Sequence, residues 1–94
     1  MIIVSQDKQR IVNFDNITQI YITFCEEDNP YYWIRFETVD SLYENLGYYE
    51  TEERAEEVLK EIKEKYLTYA ALQTVLGDMR QISGIPKAYE MPEN

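Results

Sequence analysis

The sequence predicts one α+β domain over residues 1–94, in which an antiparallel sheet of about five strands is packed by one long C-terminal helix and completed by a short closing strand. Three observations favour this fold class. The first half of the chain alternates short β-prone runs with turn residues. The second half repeats apolar residues at helical spacing. Prolines and glycines number only three each, which argues against long disorder in a chain of this length.

The predicted strands are runs of β-branched and aromatic residues that end at turn signals. Their short connections favour an antiparallel meander. They cover Met1–Val4, Arg10–Phe14, Ile17–Phe24, Tyr31–Val39 and Leu42–Tyr49. Alternation gives the third and fourth runs one apolar face each. These faces hold Ile20, Ile22 and Phe24 in the third strand, and Tyr32, Ile34 and Phe36 in the fourth.

The helix prediction begins at Thr51, whose hydroxyl suits an N-cap. Glu52 and Glu53 follow in the first turn, where the helix dipole favours carboxylates. An apolar stripe then runs along one side of the helix. It consists of Ala55, Val58, Leu59, Ile62, Tyr66, Tyr69 and Ala70. We expect the stripe to pack on the sheet, with Val58, Leu59, Ile62 and Tyr66 covering Ile20, Ile22, Ile34 and Phe36.

Beyond residue 70 the apolar side chains move to a second stripe, rotated by about 120° from the first. This stripe consists of Leu72, Val75, Leu76, Met79 and Ile82. A kink near Gly77, or a second packing surface, would account for the rotation. Ser83 and Gly84 then end the helix, and Lys87–Met91, between two prolines, forms the closing strand. We interpret the second stripe as a homodimer contact, with core packing or a partner site as alternatives.

The acidic charge is concentrated in the first two thirds of the chain. The net charge is −9, and residues 1–59 hold thirteen acidic and four basic side chains, whereas residues 60–94 hold five of each. Such a surface attracts basic proteins and repels phosphates, so a basic protein partner is predicted and direct nucleic-acid binding is not. No membrane segment is predicted, because no apolar run approaches the roughly 20 residues that span a bilayer. The lone Cys25 excludes an intrachain disulfide and favours the cytoplasm.

Enzymatic chemistry is not predicted. The chain has no histidine, which removes the usual general base and most transition-metal sites. Its three glycines are dispersed and form no phosphate loop. Cys25 is interpreted as a small hydrophobe rather than a nucleophile. The acidic run Glu26–Asn29 is interpreted as a solvated turn, because it lacks the spacing of a calcium loop. We therefore predict no catalytic residue, metal or cofactor.

Two groups of residues are candidates for partner binding. The first, the acidic helix start, consists of Glu50, Glu52, Glu53, Glu56 and Glu57. It would mimic phosphates toward a basic groove of another protein, or else be a solvated helix terminus. The second is an aromatic sheet face that would hold a protein or stack a base, or else only cover the sheet. Its members are Tyr31, Trp33, Arg35, Tyr43, Tyr48 and Tyr49.

Four segments carry a family resemblance: Val4–Lys8, Ile11–Ile17, Leu46–Ala55 and Tyr89–Pro92. In these segments the chain resembles a type of small protein that is common in Gram-positive bacteria, their phages and mobile elements. The resemblance covers most of the chain, although the segment 67–85 is longer than the type leads us to expect. It implies an intracellular α+β protein in a mobile-element context, and it carries over no catalytic residue.

The leading hypothesis is a non-enzymatic binding protein of phage or mobile-element origin. In this hypothesis the acidic surface inhibits a host defence factor, as an anti-CRISPR protein does. A second hypothesis is a protein that sequesters a small ligand or nucleotide on the aromatic face, which requires Arg35 and Lys8 or Arg10 to converge on a pocket. A third is a structural or assembly protein that dimerises through its C-terminal helix.

Overall fold

The computed structural model describes residues 1–26, 30–76 and 88–94, with the backbone alone at residues 41 and 72–76. In these residues, six strands and one α-helix follow one another in the order expected from the turn signals. They are β1 (Ile2–Val4), β2 (Ile11–Asn13), β3 (Ile17–Cys25), β4 (Tyr31–Thr38), β5 (Ser41–Tyr49), α1 (Glu52–Leu76) and β6 (Ala88–Glu90). A short 3-10 helix over Phe14–Asn16 separates β2 from β3. The α+β class is therefore confirmed.

The strands form two three-stranded sheets, so the prediction of a single five-stranded meander is wrong. β3, β4 and β5 form the predicted antiparallel meander. The other sheet has the order β2-β1-β6, with β1 antiparallel to β2 and parallel to β6. The physical reason lies at Asn13, whose side chain accepts a hydrogen bond from the backbone N–H of Asp15 and starts the 3-10 turn. This cap bends the chain between β2 and β3.

The helix packs on one face of the β3–β4–β5 sheet, as the two apolar patterns predict. Val58 and Ile62 share a buried core with Ile34 and Phe36. The partly buried side chains that complete this core include Ile20, Ile22 and Tyr66. Leu59 is only half-buried, because it lies at the rim of the interface on the β3 side. The Thr51 hydroxyl caps the helix by accepting a hydrogen bond from the Arg54 backbone N–H at 3.1 Å.

A β-bulge in β5 changes which side chains of that strand face the helix. Ile34 pairs with Gly47, and the next residue of β4, Arg35, pairs with Asn45, so Leu46 is the extra residue. The bulge allows both Leu46 and Tyr49 to be buried, although an odd number of positions separates them. Regular alternation would place them on opposite faces.

Gln6 joins the two sheets along the edge of β5. Its backbone N–H donates to the Leu46 carbonyl at 2.8 Å, and its carboxamide accepts from the Tyr48 N–H and donates to the Tyr48 carbonyl, both at 2.8 Å. These are the bonds that a neighbouring strand would make. A larger residue at position 47 would force Gln6 to shift, since a Cβ on Gly47 would lie 2.9 Å from the Gln6 Cβ.

The C-terminal predictions have different outcomes. The short closing strand is confirmed as β6, which pairs with β1 at the edge of its sheet. The helix runs through Leu76. The proposed kink at Gly77, the helix end at Ser83 and Gly84, and the second apolar stripe (Leu72, Val75, Leu76, Met79 and Ile82) lie outside the residues or side chains that the structure describes.

Candidate functional site

Aromatic side chains gather on the outer face of the β3–β4–β5 sheet, the face turned away from α1. Tyr31, Trp33 and Arg35 alternate along β4 and are half-buried, and Tyr48 of β5 lies beside them. The Tyr48 ring centroid is 4.8 Å from that of Tyr31 and 4.9 Å from that of Trp33. This part of the predicted aromatic face is therefore brought together as one cluster.

Tyr49 does not belong to the exposed aromatic face, contrary to the prediction. Neighbouring residues of a strand point to opposite sides, so Tyr48 faces outward and Tyr49 faces the core, where it is 2% exposed. Its hydroxyl donates to the Pro92 carbonyl at 2.8 Å. Burial of the phenol raises the pKa of Tyr49 to about 12. Tyr49 thus supports the floor of the site and its connection to the C-terminal segment.

Arg35 is held by its own neighbours. Its Nε donates to the Asn45 side-chain oxygen at 2.9 Å, and its guanidinium lies 4.4 Å above the centre of the Tyr43 ring. Tyr21 of β3 sits opposite Arg35 on the same face. Burial, with a hydrogen bond to Glu37, raises the pKa of the Tyr21 phenol. The sequence pattern already puts Tyr21 on the face of β3 opposite Ile20 and Ile22, but the predicted aromatic face was drawn from β4 and β5 alone.

A second groove lies next to Trp33, toward the β1–β2 turn. It has a volume of about 470 Å³ and is lined by Asp7, Arg10, Trp33, Tyr43, Glu44 and Asn45. Arg10 is paired with Glu44 at 3.0 Å. The Ser5 hydroxyl and the Gln9 backbone N–H bind Asp7 and lower the pKa of its carboxyl. The groove therefore combines one paired cation with two carboxylates.

The acidic helix start is solvent-facing throughout. All five of its glutamates are exposed. Glu57 pairs with Arg54 at 3.0 Å, and Arg54 Nε also donates to the Asn94 backbone oxygen at 2.8 Å. Arg54 is thus held in place by two partners, one from the helix and one from the C-terminal segment.

One cleft connects the aromatic cluster with the acidic helix start. This tyrosine–acid cleft has a volume of about 400 Å³ and is lined by Tyr31, Tyr48, Tyr49, Glu50, Thr51, Arg54, Glu93 and Asn94. Glu50 is the member of the acidic helix start that lines it, whereas Glu52, Glu53, Glu56 and Glu57 lie on the exposed helix surface nearby. The cleft therefore joins the aromatic cluster to Glu50 of the acidic helix start.

The C-terminal wall of the cleft was not predicted. Glu93 and Asn94 reach it because β6 pairs with β1, after which the Met91 N–H donates to the Val4 carbonyl at 3.0 Å. The Gln6 side chain then donates to the Glu93 carbonyl at 3.0 Å. The prediction of a closing strand was the available signal, but its pairing partner was not evident from the sequence.

Within residues 1–26, 30–76 and 88–94, no group of three or more potential metal ligands is close enough to hold an ion. Over the same residues, no helix is long and apolar enough to cross a membrane. Comparison with protein-family models, with curated proteins and with solved structures gives no match.

Proposed function

We propose that this chain is a non-enzymatic binding protein whose tyrosine–acid cleft takes a lysine or arginine side chain from a basic segment of a protein partner. The observation that supports this proposal best is the shared cleft itself. Tyr31 and Tyr48 supply ring faces and edges at an interplanar angle of 64°, and Glu50 and Glu93 supply negative charge at the same opening.

The chemistry of the cleft suits a cation. A guanidinium or ammonium within about 6 Å of a tyrosine ring is attracted to the ring face. Glu50 is exposed and free to approach such a group, whereas the competing cation, Arg54, is tied to Glu57 and Asn94. The tyrosine rings would also supply the apolar contact area that dominates binding hot spots.

The remaining acidic helix start would act at longer range. Exposed carboxylates contribute little net affinity each, but a surface of one sign raises the rate of encounter with a partner of the opposite sign. With a net charge of −9 the chain would be drawn to basic, nucleic-acid-binding grooves. Together with the resemblance to mobile-element proteins, this supports inhibition of a host nucleic-acid-handling defence factor in the cytoplasm as the biological role.

The nucleotide hypothesis has less support. It required Arg35 and Lys8 or Arg10 to converge on a pocket. Arg10 does line the groove beside Trp33, but it is paired with Glu44, and Asp7 lies in the same groove. A phosphate there would meet two carboxylates, and their charge opposes it.

The proposal is tested by binding measurements on single-site variants. A partner captured from a Gram-positive host lysate, and separately an arginine-rich peptide as a defined probe, would be titrated against the protein. We expect Tyr48→Ala and Glu50→Lys each to weaken binding by about tenfold or more, since 1.4 kcal/mol is a factor of ten. Glu64→Lys is the matched control, because Glu64 is exposed on the same helix and does not line the cleft.

The steering role has its own measurement. Reversal of Glu52, Glu53, Glu56 and Glu57 to lysine should lower the association rate and flatten its dependence on salt, because exposed charges are screened within about 10 Å at 0.1 M salt. Equal affinity of the wild type, Tyr48→Ala and Glu50→Lys would contradict binding of the partner in the tyrosine–acid cleft. An unchanged association rate in the four-fold variant would contradict steering alone.

A further inference from the structure

The strand β3 has an unusual sequence for a strand at the edge of its sheet. Among the described residues it pairs with β4 alone, since the sheet order is β3-β4-β5. Its nine residues, Ile17–Cys25, include no charged residue and no proline, in a chain where 29% of residues are charged. Natural proteins usually protect such edges with lysine, proline or bulges, because unpaired backbone groups invite another strand.

The bulge in β3 defines how much of this edge is regular. Ile17 pairs with Thr38 and Gln19 pairs with Glu37, so Thr18 is the extra residue. From Gln19 to Cys25 the pairing with β4 is continuous. The regular edge therefore spans Gln19–Cys25, and Ile22 is its midpoint.

Two apolar features lie on the helix side of this regular edge. Phe24 is 45% exposed although it shares a face with Ile20 and Ile22, and its one described ring contact is Tyr32 at 4.9 Å. The second feature is an apolar groove of about 260 Å³ between β3 and α1. Its walls include Phe14, Ile20, Leu59, Tyr66 and Leu67, and of the described residues only Lys63 adds a charge.

We propose that two copies of this chain pair through β3 about a two-fold axis at Ile22, so that Phe24 of each copy enters the apolar groove of the other. In this antiparallel register Phe24 lies opposite Ile20, Tyr21 lies opposite Thr23, and Ile22 lies opposite its own copy. The two residues of every pair lie on the same face of the combined sheet, because the paired positions differ by an even number. The groove is large enough for a ring, since a cavity of about 150 Å³ holds benzene.

Charge favours a second copy at this surface over other surfaces of the chain. Two molecules of net charge −9 repel each other, so their contact is opposed least where acidic side chains are few. Residues Gln19–Cys25 of β3 include no acid, and the Glu37 carboxylate of β4 accepts a hydrogen bond from the Gln19 amide at 2.9 Å. The flanking Glu26 would lie opposite the neutral Thr18 of the other copy. A two-fold interface also requires a self-complementary patch, which the Phe24 ring and the Ile20 groove provide.

A stable dimer of this kind has to cover a defined share of the surface. A standard interface removes about 800 Å² from each partner, about one eighth of the 6525 Å² exposed by this chain. Strand pairing would cover the β3 edge, and the second copy would cover Phe24 and Leu67, which is 55% exposed.

The oligomeric mass of the full chain tests the proposal. Sedimentation equilibrium at micromolar concentration should give twice the 11.3 kDa chain mass. Phe24→Asp should give the single-chain mass, because it places a carboxylate against an apolar groove. Leu42→Asp is the matched control, since Leu42 is 89% exposed in β5 and should leave the dimer intact.

A cross-linking experiment tests the register independently of Phe24. In the Cys25→Ser background, Ile22→Cys should form an interchain disulfide on mild oxidation, because the two-fold axis puts the two sulfurs opposite each other. The wild-type Cys25 pair should not, since these residues would lie six positions apart along the strand, about 20 Å. A monomer at every concentration, a dimer that survives Phe24→Asp, or cross-linking through Cys25 instead of Ile22→Cys would overturn the proposal.

Discussion

The β3–β4–β5 sheet ends differently at its two edges. At the β5 edge the Gln6 carboxamide makes the hydrogen bonds of a neighbouring strand, and the second sheet adjoins it. At the β3 edge, in the described part of the chain, no strand follows. One edge is closed from within the chain and carries the tyrosine–acid cleft. The other is the edge through which we propose that a second copy pairs.

The contrast shows that closing a sheet edge does not require a full strand. Gln6 lies just beyond β1, yet one side chain and one backbone N–H satisfy the β5 backbone from Leu46 to Tyr48. Its carboxamide resembles a peptide group in having one acceptor and an N–H donor. β3 has a β-prone, uncharged sequence with no such cover among the described residues, which is the pattern that favours strand addition.

The largest expected effect concerns the core beneath both edges. Ile62→Ala should lower the free energy of unfolding by about 2–5 kcal/mol, because Ile62 is 1% exposed and the cavity would lie at the centre of the helix–sheet interface. Leu59→Ala should cost clearly less, since Leu59 is half-buried at the β3 side. Urea denaturation of both variants, at a concentration where the wild type is monomeric, gives the comparison. Equal costs would place Leu59 in the core.

The next largest effect is expected from a substitution that disrupts the closed β5 edge. Gly47→Ala should lower the free energy of unfolding by about 1–3 kcal/mol. The new methyl group would lie 2.9 Å from the Gln6 Cβ and would push the whole Gln6 side chain out of position. Amide hydrogen exchange should then accelerate at Tyr48, whose N–H is bonded to Gln6. Unchanged protection at Tyr48 would mean that Gln6 does not close this edge.

A smaller effect is expected when the Gln6 side-chain amide is removed and its backbone N–H is kept. Gln6→Ala should cost about 1–2 kcal/mol, since it deletes three side-chain hydrogen bonds, each with a modest net value. Thermal unfolding measures the loss. Gln9→Ala is the control, because Gln9 is exposed in the same turn and its side chain makes only a long bond of 3.5 Å. A similar loss in both variants would contradict the special role of Gln6.

The smallest effect is expected from the loss of the Tyr49 hydroxyl, which changes the dependence of stability on pH only in alkali. The pKa of Tyr49 is raised to about 12, mainly by burial, and the pKa of Tyr89 is also raised by burial and by its hydrogen bond to Glu61. A raised folded-state pKa means that this stability is complete below the unfolded value near 10 and is lost as pH rises toward 12. Tyr49→Phe should therefore reduce the fall in thermal stability between pH 10 and pH 12. An identical pH profile in the variant would show that Tyr49 ionises as freely as in the unfolded chain.

Much of the fold could be predicted because local patterns determine it. The helix stripe, the Thr51 cap and the β3–β4–β5 meander each depend on residues close together in sequence. The division into two sheets could not be predicted, since it depends on a 3-10 turn stabilised by one asparagine side chain and on parallel pairing between β1 and β6. Neither feature has a periodic signature.

The candidate site was predicted in parts, and the parts were not joined. The aromatic and acidic groups were both identified, but their shared cleft requires Glu93 and Asn94, which only the β1–β6 pairing brings to β5. Tyr49 was assigned to the wrong side because adjacent residues of a strand diverge. Gly47 was the available signal of a bulge, since glycine inside a strand often marks one.

The Gln6 bridge joins segments that lie far apart in the sequence, which leads to an expectation about the order of folding. Its carboxamide binds residues 42 and 87 positions away, whereas the β3–β4 and β4–β5 hairpins join neighbouring segments. Contacts between residues so far apart in sequence require a large loss of loop-closure entropy before their hydrogen bonds can form. The meander and helix should therefore form first, and the β1–β6 pairing and the Gln6 contacts should be added late. Loss of the carboxamide would then leave the refolding rate nearly unchanged and make the native molecule open faster.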